Sequence, residues 1–535
     1  MHWNLPYPSG RQPVLARNLV STSQPLASQA GAAAFARGGN AIDAALAAAI
    51  CLTVVEPTMN GIGGDAFALV WDGDELHGLN ASGSAPQAWS ADKFASRFAG
   101  LHQMPRNGWD TVTTPGGVAA WLALSERFGA LPFEDLFTDA IRHARDGFPV
   151  SPVIARQWQL AAAELGRHPG FDAFMPKGRA PTVGETWRFT DQADTLQDIA
   201  RSRTDSFYRG RLARSMADFA KAHDAGLSLE DLAAHQVEWV KPISMDFGDR
   251  TVHEIPPNGQ GLAALMALGL LENLPYREAR PGSAARMHLE IEAMRMAFSD
   301  LYAHVADPAH MKVTAAQLLD KAYLRERARG IDPTKLGAYP AGQPASGGTV
   351  YLCAADAQGR MVSFIQSNFK GFGSGVVVPG TGIALHNRGM GFVTTAGHPN
   401  QVAGGKRPMH SIIPAFMTRN GKPHMAFGVM GGNMQAQGHL QMTVRESVDE
   451  LNPQACSDAP RWRINDTGAL TLEHTVPAQV VEGLRAMGHQ PEIAPTDSLD
   501  FGSAQLIRRL DQAEGEPVAY VAGSDHRRDG QAVGY

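Results

Sequence analysis

Residues 330–348 carry five glycines, three prolines and little periodicity, and at Thr349 the chain turns abruptly into an apolar run. This switch constrains the fold more than any other feature. It predicts a long loop ending on Gly347-Gly348, then a hairpin: a buried strand over 349–356, a turn at Ala357 to Gly359, and a return over 360–366. Two readings of the glycine pair follow. One is a flexible connector. The other is a place where the chain cuts itself, since glycine permits the tight, strained turn that a hydroxyl needs to attack the preceding carbonyl.

Elsewhere the pattern is mixed. Asn40 is a good N-cap for a helix from Ala41 to about Val55, which Pro57 helps to end. "MNGIGGDAFALVWDGDELHGL" reads as a Gly-rich turn, a strand, a D-G turn at Asp72-Gly73 and a returning strand. From Trp109 to Gln236 apolar residues recur three and four apart, and Met287 to Val305 is a further amphipathic helix. After residue 349 strands dominate, with a second hairpin turning at Asn420-Gly421. Helices are expected to dominate before residue 340. No internal repeat or low-complexity tract is evident.

Composition narrows the function. Apolar residues make up 44% and charged residues 19%, as in an ordinary globular protein. The net charge of −6, with no basic block, argues against nucleic acid as a partner. The three cysteines are far apart and suggest neither a disulfide framework nor a thiolate metal site. The run from Ala41 to Val55 is too short to span a bilayer. No basic-then-apolar leader opens the sequence, so a cytoplasmic location is expected. There is no H-E-x-x-H, P-loop, G-x-S-x-G elbow or correctly ordered dinucleotide fingerprint, and neither a metal nor a cofactor is expected.

That leaves Thr349. A threonine hydroxyl is a weak nucleophile and needs an adjacent base. If Thr349 became the first residue of a chain, its own α-amine, with a pKa of roughly 7.7–8.0, could take the proton. The peptide bond before it must first break. From these residues alone G-G-T specifies little, and a loop joining a hairpin leaves the same trace.

Longer blocks add to this. "GGTVYLCAADAQGRMVSFIQSNFKGFGSG", "GKRPMHSIIPAF" and "FGVMGGNMQ" resemble the γ-glutamyltranspeptidase family of N-terminal-nucleophile hydrolases. So do "GGNAIDAALAAAICLTVVEPTMNGIGGDAFALV" and "LSLEDLAAHQVEWVKPIS" in the first half, and "SDHRRDGQAVGY" at the end. The resemblance runs in order through essentially the whole chain. It implies an α/β fold, a four-layer αββα sandwich made as one precursor. The precursor would be cleaved between Gly348 and Thr349 into a large subunit, 1–348, helix-rich with outer strands, and a strand-rich small subunit, 349–535. A pair of processed heterodimers is left open.

Carried over position by position, the resemblance makes Thr349 the nucleophile. It puts Ser367 in place of the family's second threonine, which steadies the nucleophile. Gly431 and Gly432 match the glycine pair whose N–H groups form the oxyanion hole. Ser411 matches one of two serines that hold the substrate carboxylate, and His410 replaces the other.

The departures concern the acyl pocket. Family members grip the glutamyl carboxylate with an arginine near "NASGSAP", where this sequence has Ser82, Gly83 and Ser84. An Asn, a Gln and an Asp around the glutamyl head are replaced by Phe369, Arg388 and Gly391. Losing the Asp removes the partner of an α-ammonium, and Arg388 adds a cation, though a surface salt-bridge role would explain Arg388 equally well. Three functions remain: hydrolysis of γ-glutamyl amides such as glutathione; hydrolysis of a small acid amide such as oxamate or of an acyl β-lactam; or binding by an unprocessed, inactive relative. All but the last imply a small-molecule amide substrate.

Overall fold

A computed structural model describes residues 3, 10–98, 104–339, 348–465, 467–513 and 515–535. Residues 340–347 of the predicted loop, including Gly347, lie outside the described residues.

Two seven-stranded antiparallel sheets form the centre. One runs in the order Gln531–Gly534, Leu19–Thr22, Gly348–Ala355, Met361–Phe369, Asp65–Trp71, Leu76–Asn80, Glu238–Val240. The other runs Val14–Ala16, Tyr520–Ser524, Ser503–Arg509, Lys422–Met430, Ala415–Arg419, Arg250–Glu254, Ile243–Phe247.

Strand periodicity sorts the side chains into layers. From Gly348–Ala355, Tyr351, Cys353 and Ala355 enter the layer between the sheets, where they meet Phe416, Ala426 and Ile507. Val350, Leu352 and Ala354 point the other way, into a core shared with the first helical layer. Alternate residues of a strand face opposite sides, so a strand covered on both faces reads as a continuous apolar run. The sheets approach closely where Gly428 faces Tyr351, since a Cβ there would lie 2.5 Å from the ring.

The helices Ala41–Val55 and Gly261–Leu271 close the two outer layers, and every residue of each is buried. A helix apolar all round belongs in a core rather than at a surface. Asn40 starts the first through a full capping box with Asp43. The four-layer αββα sandwich is therefore the observed fold. No described helix is long and apolar enough to cross a membrane.

One expectation needs correcting. The first 340 residues supply more than helices and outer strands. Leu19–Thr22 pairs directly with the strand that carries Thr349, and Asp65–Trp71 pairs with Met361–Phe369. The first is short and the second is buried along all but its last residue, so their alternation is faint beside the long helices around them.

Candidate active site

Thr349 sits at an irregularity near the start of its strand, where the pairing shifts register between Gly348 and Val350. It is fully buried. Its hydroxyl donates to Ser367 Oγ at 3.4 Å and accepts from Gln435 Nε2 at 3.2 Å. Ser367 Oγ also accepts the Phe369 N–H at 2.7 Å. Ser367 stands on the neighbouring strand, two residues before Phe369, which closes the ladder opposite Gly348. Phe369 holds a left-handed φ of 76°, unusual for a residue with a side chain.

Gly431 and Gly432 lie between the strand Lys422–Met430 and the helix Met434–Ser447. Their φ values, 118° and 60°, are ones that favour glycine. The turn is braced by Gln260, whose Nε2 donates to the carbonyl of Gly432 at 2.8 Å and also to that of Ser411. The helix that follows directs the positive end of its dipole back toward this turn. A cavity of about 340 Å³ opens against Gly431, lined in part by Met59, Lys370 and Gly371.

On the other side of Phe369 the site is ionic. Arg388 is buried, its Nη1 donates to Ser411 Oγ at 2.9 Å, and its guanidinium lies 4.5 Å from the Phe369 ring centroid. Among the described residues its Nε and Nη2 have no partner. Burial lowers its pKa to about 9, which still leaves it cationic at neutral pH. The surface salt-bridge reading of Arg388 is thereby set aside.

Asp65 supplies the opposite charge. Burial would raise its carboxyl, but His386 and His410 outweigh this and hold it well below the usual carboxylate range. Asp65 accepts His410 Nε2–H at 3.1 Å and the Gly116 N–H at 2.9 Å.

His410 and Ser82 do not fit the roles expected of them. The other ring nitrogen of His410 accepts the Ile412 N–H at 3.3 Å, so both nitrogens are engaged. Burial lowers its pKa to about 3, and the ring is neutral. A neutral imidazole with both nitrogens occupied cannot hold a substrate carboxylate; it supports Asp65 instead. The Ser82 hydroxyl donates to Asn80 Oδ1 at 2.7 Å and accepts from Asn258 at 3.2 Å. A side chain at Gly83 would place Cβ 1.6 Å from the Thr114 carbonyl oxygen, so an arginine there has no room. At Gly391 a Cβ would lie 2.5 Å from the Met409 carbonyl oxygen, which likewise leaves no space for an acidic side chain.

Asp65, Gln260, His386 and Gln435 were missed by sequence reasoning. Asp65 left a trace there as the acid ending "GIGGD", and Gln435 as the last residue of "FGVMGGNMQ". Away from the site, His288, Glu292 and His489 place ligand atoms within 4.8 Å of one another. The two imidazoles share a 2.7 Å hydrogen bond, Glu292 accepts the Gly337 N–H at 2.7 Å, and the Arg295 guanidinium stands 3.6 Å from its carboxylate.

A model described as gamma-glutamyltranspeptidase matches residues 27–535. The chain belongs to the gamma-glutamyltranspeptidase family. It is similar to the glutathione hydrolase-like YwrD proenzyme of Bacillus subtilis, with 33% identity over 97% of this chain and 98% of the relative. It is 34% identical to the oxamate amidohydrolase proenzyme of Klebsiella pneumoniae, over 95% of this chain and 97% of that one. The crystal structure of cephalosporin acylase from Bacillus halodurans superposes with a TM-score of 0.94 at 45% identity, covering 100% of this chain and 99% of that chain. This member of the gamma-glutamyltranspeptidase family is thus an enzyme of the N-terminal-nucleophile hydrolase type, made as a precursor.

Proposed function

We propose that this protein is an amidohydrolase that cuts itself between Gly348 and Thr349 and then hydrolyses amides of a small anionic acyl group lacking an α-amine. The observation that carries the substrate half is Arg388, a buried cation beside Ser411 with two nitrogens that find no hydrogen-bond partner among the described residues. A buried guanidinium with open donors is costly, and a substrate carboxylate would satisfy them in bidentate fashion.

In this reading the freed α-amine of Thr349 takes the proton from Oγ as Oγ adds to the amide carbonyl. The N–H groups of Gly431 and Gly432 receive the developing oxyanion. The C–N bond breaks, the amine leaves with that proton through the cavity at Gly431, and water then resolves the threonyl ester. Ser367 steadies Oγ, and Phe369 and Ser411 fix the guanidinium that grips the acyl end. The relative named oxamate amidohydrolase supports an acyl group of this kind.

A γ-glutamyl substrate is the second reading, favoured by the relative named glutathione hydrolase-like. It has to leave the α-ammonium without the acid that Gly391 cannot supply.

Intact mass spectrometry of the purified protein tests the processing half and the binding-protein alternative together. The expected result is two fragments, 1–348 and 349–535, with Thr349→Ala remaining one inactive chain of 57.2 kDa. A wild-type chain that stays whole contradicts the proposal.

A further inference from the structure

Gln435 is the second residue of the helix Met434–Ser447 and is fully buried. Its Oε1 accepts the Ile413 N–H at 2.9 Å. A backbone N–H can only donate, so this bond settles which way the amide is turned. The NH₂ end therefore faces Thr349, and donates to Oγ at 3.2 Å. Thr349 Oγ in turn donates to Ser367 Oγ at 3.4 Å. Its hydrogen and one lone pair are thus assigned, and the remaining lone pair is the one that can attack.

We propose that Gln435 is a catalytic residue whose amide N–H stabilises negative charge on Thr349 Oγ as the bond from Oγ to the acyl carbon forms and breaks. This inference rests on Thr349 being the nucleophile. The demand is greatest in deacylation. Water, giving a proton to the Thr349 α-amine, adds to the ester carbonyl. The tetrahedral adduct then collapses: the C–Oγ bond breaks, its electron pair moves to Oγ, the α-ammonium returns the proton there, and the acid departs. A threonine alkoxide is a poor leaving group, and a donor already aimed at Oγ lowers the charge it must carry. A neutral carboxamide cannot itself remove a proton, so it does not compete with the α-amine as base. The same donor serves self-cleavage, where the Gly348 carbonyl is transferred to Oγ and the resulting ester is hydrolysed.

Two variants separate this role from packing. Gln435→Glu keeps an acceptor for the Ile413 N–H but, when ionised, presents no donor to Oγ. Gln435→Met keeps the length and loses both. At pH 8, both variants are expected to lower kcat about 10- to 100-fold with a parallel fall in KM. The threonyl ester should accumulate, seen as an acyl adduct on fragment 349–535 after rapid quenching. Self-cleavage should slow but go to completion, which also reports a folded protein. Wild-type kcat in Gln435→Glu, with a loss only in Gln435→Met, would mark a packing role and overturn the proposal. So would a lower kcat in both with no adduct. Activity in Thr349→Ala would instead overturn the nucleophile reading itself, which keeps the two failures apart.

Discussion

The two halves of the site are built from different materials. The Thr349 hydroxyl meets neutral groups, a serine hydroxyl and a glutamine amide, and that serine accepts a backbone N–H. Beyond Phe369 the site holds a buried guanidinium, a buried carboxylate and two imidazoles facing that carboxylate. Neutral donors can orient a nucleophile without shifting the pKa of the amine that must serve as its base. Charges placed one residue layer away can select an acyl group without entering the chemistry. The contrast separates how the bond is broken from whose bond it is.

Asp65→Asn is the harshest way to break that contrast on the ionic side. It leaves Arg388 buried without its counter-charge, and removal of one partner from such a set costs about 3–5 kcal/mol. Urea unfolding of the wild type and variant measures the loss. The sign with pH follows from the lowered carboxyl. Its contribution is present above the unfolded carboxylate value of about 3.9 and is lost as pH falls toward the native one. The variant should lack that acid-side loss.

Arg388→Met should spare self-cleavage and weaken only the acyl half. Loss of a charged hydrogen bond to substrate is worth about 1.5–3 kcal/mol, or roughly 10- to 150-fold in kcat/KM for an anionic substrate. The wild-type profile of kcat/KM should rise as the Thr349 α-amine deprotonates near pH 8 and fall above about 9, where Arg388 loses its charge. The alkaline fall should vanish in Arg388→Met and for an uncharged acyl group, while the rise remains.

Much of the neutral half is legible through the family resemblance, whose blocks contain Gly348, Thr349, Ser367 and the glycine pair; the local pattern alone specifies little. The ionic half is legible mainly by departures, among them Arg388 as an added cation. The absence of arginine at Ser82–Ser84 can be read, but not that the Thr114 carbonyl leaves no room for a side chain at Gly83. His410 can be seen as a substitution, but its engagement with Asp65 spans 345 residues and leaves no local pattern. Gln435 closes the block "FGVMGGNMQ", but its reach to Thr349 spans 86 residues and leaves no local pattern. The same holds for the fold. Asn40 announces its helix through contacts within three residues, whereas the pairing of Leu19–Thr22 with the Thr349 strand depends on a partner more than 330 residues away.

The central claim is that this site takes an anionic acyl group without an α-amine. The direct test is kcat/KM for glutaryl p-nitroanilide beside γ-glutamyl p-nitroanilide, two substrates that differ only in that amine. The account predicts a preference of at least about tenfold for the glutaryl compound, the equivalent of about 1.4 kcal/mol for an ammonium left unpaired. Equal or better turnover of the γ-glutamyl compound would contradict it.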